Sequence, residues 1–117
     1  MKRTPEKVVQ AHVVQLLQTV GAVVYVLGTT RRRGDYPGTM QTPGLPDVMA
    51  FLPPAPRTPN ALVTWKLLCV ECKAIGGRLK PAQRQFQQFC ALARVSHVVG
   101  DLDAVIAWLI AYGYLKG

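Results

Sequence analysis

Three apolar runs follow one another with no helical pattern between them, and that order constrains the fold more than anything else in the chain. Val23 to Leu27 is β-branched and apolar, Asp47 to Leu52 is a second short run, and Trp65 to Lys73 is a third. Each has the length and composition of a strand. Strands joined without an intervening helix pair as antiparallel neighbours. Gly76 and Gly77 then break the third run, Pro81 opens a helical segment to about Arg94, and Ser96 to Val99 makes a fourth strand. A helix between two strands implies a crossover to a parallel partner, so the sheet is expected to be mixed.

Helical patterns close both ends. Thr4 and Pro5 stand where an N-cap and a first helical position belong, with Glu6 in the first turn. Residues 5 to 20 keep a helical period until Gly21 stops it, with Val9, Val13, Leu16 and Val20 on one stripe and Glu6 on its N-terminal extension. Asp101 or Asp103 caps a last helix running through Tyr112 to Gly113. The expectation is an α/β fold of order α-β-β-β-α-β-α, with helices covering at least four strands. With 117 residues, no internal repeat and no domain boundary, it reads as a single domain over residues 1–117.

Half the residues are hydrophobic and 17% are charged, which excludes a disordered tail. The 14 Lys and Arg against 6 Asp and Glu leave a net charge of +8. That excess favours a polyanionic partner. No run approaches the roughly 20 apolar residues of a bilayer span, and polar residues interrupt any secretory leader, so no membrane partner is expected. The expected location is intracellular, not secreted. Cys69, Cys72 and Cys90 are odd in number and fit no disulfide framework. Cys69-x-x-Cys72 has the spacing of half a zinc site, but on a strand that offset sends the thiols to opposite faces, and no second pair exists; no zinc is expected. The apolar C-terminal segment around Trp108, Leu109, Ile110, Tyr112 and Tyr114 reads as core, with any exposed remainder available as a dimer surface.

The acids carry the functional signal. Asp101 and Asp103 are explained by helix capping, and Asp35 lies in a long Gly-, Arg- and Pro-rich loop from Gly28 to Gly44. Asp47 and Glu71, by contrast, belong to apolar strand segments, where a carboxylate is costly unless paired, hydrogen-bonded or bound to metal. Side chains alternate along a strand, so Glu71 and Lys73 share one face while Cys72 points to the other. Beside Asp47 on a neighbouring strand they would form a site of two carboxylates and an amine. Two carboxylates gather oxygen ligands for Mg²⁺ or Mn²⁺. The lysine can position or deprotonate a water, or stabilise charge on a phosphate.

The ordered set Gly44-Leu45-Pro46-Asp47, Glu71-Cys72-Lys73, Gly77-Arg78-Leu79 and Gln83 resembles the VRR-NUC domain, the virus-type replication-repair nuclease branch of the PD-(D/E)XK superfamily. The resemblance runs from Glu6 to about Gly100 and looks most like stand-alone viral or phage members. It implies a restriction-endonuclease-like core and a metal-dependent DNA endonuclease. It further implies Asp47 and Glu71 as metal ligands, Lys73 and Gln83 as active-site residues, and the Cys72 carbonyl as a further ligand. Glu6 carries over as a helix-borne acid near the metals. A homodimer acting on branched DNA, such as four-way (Holliday) junctions, is implied as well. A general nicking or flap nuclease of a replication or repair complex, and a basic DNA-binding module with a structural acidic cluster, are the alternatives. Two departures from the pattern stand out: Lys80 occupies the place of a capping Ser or Thr before Pro81, and the second connection is long and proline-rich. Arg31, Arg32 and Arg33 in the long loop, with Arg78, Lys80 and Arg84 around the second helix start, are the candidate DNA contacts. Tyr36 is a candidate for stacking on a base.

Overall fold

The computed structural model describes residues 4–27, 42–57, 64–74 and 76–117. The elements are α1 (Glu6–Thr19), β1 (Val23–Val26), β2 (Val48–Leu52), β3 (Lys66–Cys72), α2 (Pro81–Ala93), β4 (Ser96–Gly100) and α3 (Leu102–Ala111). The strands lie side by side in chain order in one sheet. β1–β2 and β2–β3 are antiparallel, while β3–β4 is parallel across the α2 crossover. The mixed sheet and the α-β-β-β-α-β-α order both match the sequence reading.

The register explains which residues are core. Val48, Val70 and Val98 pair in a row across the sheet, and Ala50 pairs with Leu68. All five are buried, and they point at one face with Leu52 and Cys72. That face is sealed by Val9, Val13 and Leu17 of α1 and by Val105 and Leu109 of α3. The other face meets α2, where Phe86 packs its ring 5.7 Å from that of His97 on β4. Tyr114 closes one edge of the core: its hydroxyl donates to the Pro53 carbonyl at 2.7 Å, and Gly113 O accepts from Arg57 N–H at 3.1 Å.

Details of the helix readings shift. Pro5, not Thr4, is the N-cap of α1, and no side chain caps that end. The buried stripe of α1 is Val9, Val13 and Leu17, with Leu16 and Val20 half-buried at its margin. A strict i, i+4 row leans along the sheet and selects Leu17 over Leu16. On α3, Asp101 is the cap, accepting from Ala104 N–H at 3.3 Å, and Asp103 is an exposed first-turn acid. Of the C-terminal apolar segment, Leu109 and Tyr114 are core, Trp108 is half-buried, and Ile110 and Tyr112 are exposed. Among the described residues no helix is long and apolar enough to cross a membrane.

Candidate active site

The ladder between β2 and β3 stops at Val48, the residue after Asp47. Up to Val48 the strands keep regular register, but Asp47 N–H bonds to Val70 O, off that register. The aspartate is thus released from the ladder, and its Oδ2 accepts the backbone N–H of Cys72 at 2.8 Å. A residue's N–H and C=O leave an extended strand on the same side. The Cys72 carbonyl therefore faces the Asp47 side of β3, while Lys73 N–H turns the other way to Gly100 O at 2.9 Å.

Two glycine-dependent contacts hold this corner. Gly44 has φ +91°, and a Cβ there would stand 2.6 Å from the Ala82 carbonyl oxygen. The Gly44–Asp47 turn is therefore pressed against the first turn of α2, with Pro46 fully buried behind it. Past β3, a Cβ on Gly77 would lie 3.1 Å from Ala74 O and 3.3 Å from the Lys73 side chain. The chain doubles back tightly over Lys73.

Glu71 and Lys73 rise on the face opposite Cys72, as strand alternation requires. They are the buried charged residues of the described chain, 3% and 9% exposed. Lys73 Nζ lies 3.9 Å from Glu71 Oε2. Gln83 donates its amide to the same Glu71 oxygen at 3.0 Å. The carbonyl end of Gln83 accepts from Lys80 N–H at 2.7 Å, closing the start of α2. This replaces the missing Ser or Thr cap, because the third helical residue reaches back where the N-cap side chain does not. Gln83 serves helix and site together, which sequence pattern alone does not reveal.

The electrostatics are strained. Burial and the adjacent Asp47 carboxylate push the Glu71 carboxyl up to about 8, against the smaller opposing pull of Lys73. Cys72 is pushed up to about 12 by burial and then by Asp47, Glu71 and Glu6, so its thiol stays neutral within the core.

Asp47, Glu71, Lys73, Gln83 and the Cys72 backbone converge at one end of β3. Glu6 does not join them as an equal: it adds repulsion at Glu71, yet it is exposed, as is the first turn of α1 through Val8. Consistent with this, no group of three or more His, Cys, Asp or Glu side chains able to hold a metal ion forms among the described residues. Arg78, Lys80 and Arg84 surround the α2 start beside Gln83, and all three are exposed. Arg31, Arg32, Arg33 and Tyr36 lie outside the described residues. Cys69 faces Cys90 across the β3–α2 contact and all three thiols are free, so the two cysteines of the C-x-x-C do part to opposite faces.

No family profile and no curated protein matches the chain. A solved structure described as a VRR_NUC domain superposes with a TM-score of 0.59, covering 92% of this chain and 95% of that one, at 22% identity. The likeness extends over nearly the whole of both chains. The chain has the fold of a VRR-NUC domain.

Proposed function

We propose that this chain is a nuclease that hydrolyses DNA phosphodiesters with Mg²⁺ or Mn²⁺. The observation that carries the reading is the placement of two carboxylates and an ammonium at one strand end, with the fold of a VRR-NUC domain around them.

The donor set fits a hard divalent cation. Asp47 and Glu71 supply anionic oxygens, and the Cys72 carbonyl faces the same side of β3 as the Asp47 carboxylate. Burial and then the neighbouring Asp47 carboxylate raise the Glu71 carboxyl by more than Lys73 offsets, and a cation between the two acids would relieve that repulsion. These three groups would hold the ion, with Glu6 adding negative charge at its margin. A bound ion supplies Lewis acidity toward the phosphodiester and lowers the pKa of coordinated water.

The chain's own groups do the rest. Gln83 fixes the Glu71 carboxylate by its amide, and the Cys72 N–H fixes that of Asp47. Lys73 presents its ammonium beside Glu71, where it orients a water or neutralises charge growing on the phosphate. Arg78, Lys80 and Arg84 are available at the α2 start to grip flanking phosphates. The sequence resemblance further supports branched DNA, four-way junctions included, as substrate and a homodimer as the acting form.

Purified protein incubated with linear, flap and four-way DNA, in Mn²⁺ and in chelator, tests this. Cleavage requires the cation and disappears in Asp47→Ala and Lys73→Ala. Cleavage that survives either substitution removes the proposed chemistry, whereas equal cutting of all three DNAs removes only the preference for branches.

A further inference from the structure

α2 covers only part of the sheet face that bears Glu71. It packs on β4 and reaches β3 through the Cys69–Cys90 and Glu71–Gln83 contacts. The β1–β2 half of that face carries no helix among the described residues. The register shows which side chains lie there: Tyr25 pairs with Met49 and Met49 with Cys69, while Val23 pairs with Phe51 and Phe51 with Leu67. Paired residues point to the same face, so all of these share the face of Glu71. Trp65, one residue before β3, continues the alternation of Leu67, Cys69 and Glu71.

This area is aromatic and open. Tyr25 is 54% exposed, Phe51 40% and Trp65 59%. Tyr25 and Phe51 sit edge-to-face, ring centroids 6.1 Å apart, each bracing the other upright on the sheet. Measured along β3 at roughly 3.3 Å per residue, Leu67 beneath Phe51 is about 13 Å from Glu71 and Trp65 about 20 Å. The rings thus spread across the sheet away from the site, Tyr25 on β1 level with Cys69, Phe51 on β2 level with Leu67, and Trp65 beyond the start of β3.

We propose that this face stacks the bases of an unpaired nucleic-acid strand whose backbone enters the Asp47–Glu71–Lys73 corner; the proposal rests on the nuclease reading above. Base–aromatic stacking needs accessible ring faces on both partners, which a single strand offers and an intact duplex conceals. Charge points the same way. The chain carries a net charge of +8 with only 6 acids, two of them drawn into the site corner, which favours a polyanion. A nucleic-acid strand brings one phosphate with every base. The substrate class becomes DNA with single-stranded character next to the scissile bond.

The test uses the full chain in chelator, so that binding is read without cleavage. Anisotropy of a labelled oligothymidylate of about 12 nucleotides is compared with that of a blunt duplex. Tyr25→Ala, Phe51→Ala and Trp65→Ala are each expected to weaken the single strand by about fivefold or more and to leave the duplex within about twofold. Trp65 lies outside the ladder, so its variant guards against a folding defect, and Tyr25→Phe should retain binding. Unchanged oligothymidylate affinity in the three alanine variants overturns the proposal. So does a dimer that these substitutions convert to monomer with that affinity intact, since a second copy would then occupy the face. Ring-dependent binding by a protein that cleaves nothing in any cation would sustain the stacking surface and refute the nuclease.

Discussion

Asp47 Oδ2 accepts the backbone N–H of Cys72 at 2.8 Å, at the point where β2 stops pairing with β3. The carboxylate takes the place of the missing ladder carbonyl, and so becomes fixed against β3 rather than free in solvent. It stands beside Glu71 because strand geometry puts it there, at an electrostatic cost that the raised Glu71 carboxyl records.

That cost has a pH signature. Glu71 is held at about 8, above the roughly 4.3 of an exposed glutamate. Between those values the folded chain keeps a proton that the unfolded chain has released. The stability this group contributes is complete below about pH 4.3 and is lost as pH rises through about 8. Melting temperatures in chelator should fall across that window, and Mn²⁺ should flatten the fall by replacing the proton. Asp47→Asn should make it shallower without metal, leaving the larger part that burial causes.

Gln83 links helix and site, and two substitutions separate its roles. Gln83→Glu keeps an acceptor for Lys80 N–H but replaces the donor to Glu71 with a third carboxylate. Gln83→Ala removes both bonds and should cost about 1 kcal/mol in urea unfolding, as loss of a helix cap does. Both should lower cleavage at least about tenfold by freeing Glu71. The glutamate should raise the Mn²⁺ concentration needed more than the alanine does.

Gly44 and Gly21 share a left-handed φ, +91° and +93°, but not a neighbourhood. A Cβ on Gly21 meets only Pro53 Cγ at 3.6 Å, whereas on Gly44 it meets Ala82 O at 2.6 Å. Gly21→Ala should show backbone strain alone, about 1–3 kcal/mol, with cleavage retained. Gly44→Ala should add a steric penalty, part the turn from α2 and abolish cleavage. Denaturant melts and turnover on the same preparations check both.

The basic residues at the α2 start predict a salt effect. Replacing Arg78, Lys80 or Arg84 with Gln should weaken duplex binding and reduce the slope of log K against log salt by about 0.9 for each phosphate no longer neutralised. A slope unchanged in all three variants would place the phosphates elsewhere.

Much of the fold is legible in the sequence because period and punctuation are local. Apolar strand runs, Gly21, Pro81 and Gly113 locate the elements within a residue or two, and alternation separates Glu71 and Lys73 from Cys72 correctly. What escapes is the set of relations between distant segments. Nothing around Gly44 announces that Ala82 O lies where its Cβ would be, and nothing near Gln83 says that one amide both caps α2 and braces Glu71. The stripe of α1 gives the direction of Glu6 but not its exposure: it raises Glu71 and Cys72 from an exposed first turn. Leu17 displaces Leu16 in the core because the tilt of α1 on the sheet is set by packing.

Titrating Mn²⁺ into the protein, with binding read by calorimetry and cleavage read on the same samples, asks whether Asp47 and Glu71 hold the ion that cutting needs. The wild type should bind the ion, both Asp47→Asn and Glu71→Gln should lose at least about tenfold in affinity, and cleavage should track occupancy. Lys73→Met should bind the ion and fail to cut. Full Mn²⁺ affinity in Asp47→Asn and Glu71→Gln, or cleavage by the wild type in chelator, would rule out a cation held by these two carboxylates as the agent of cutting.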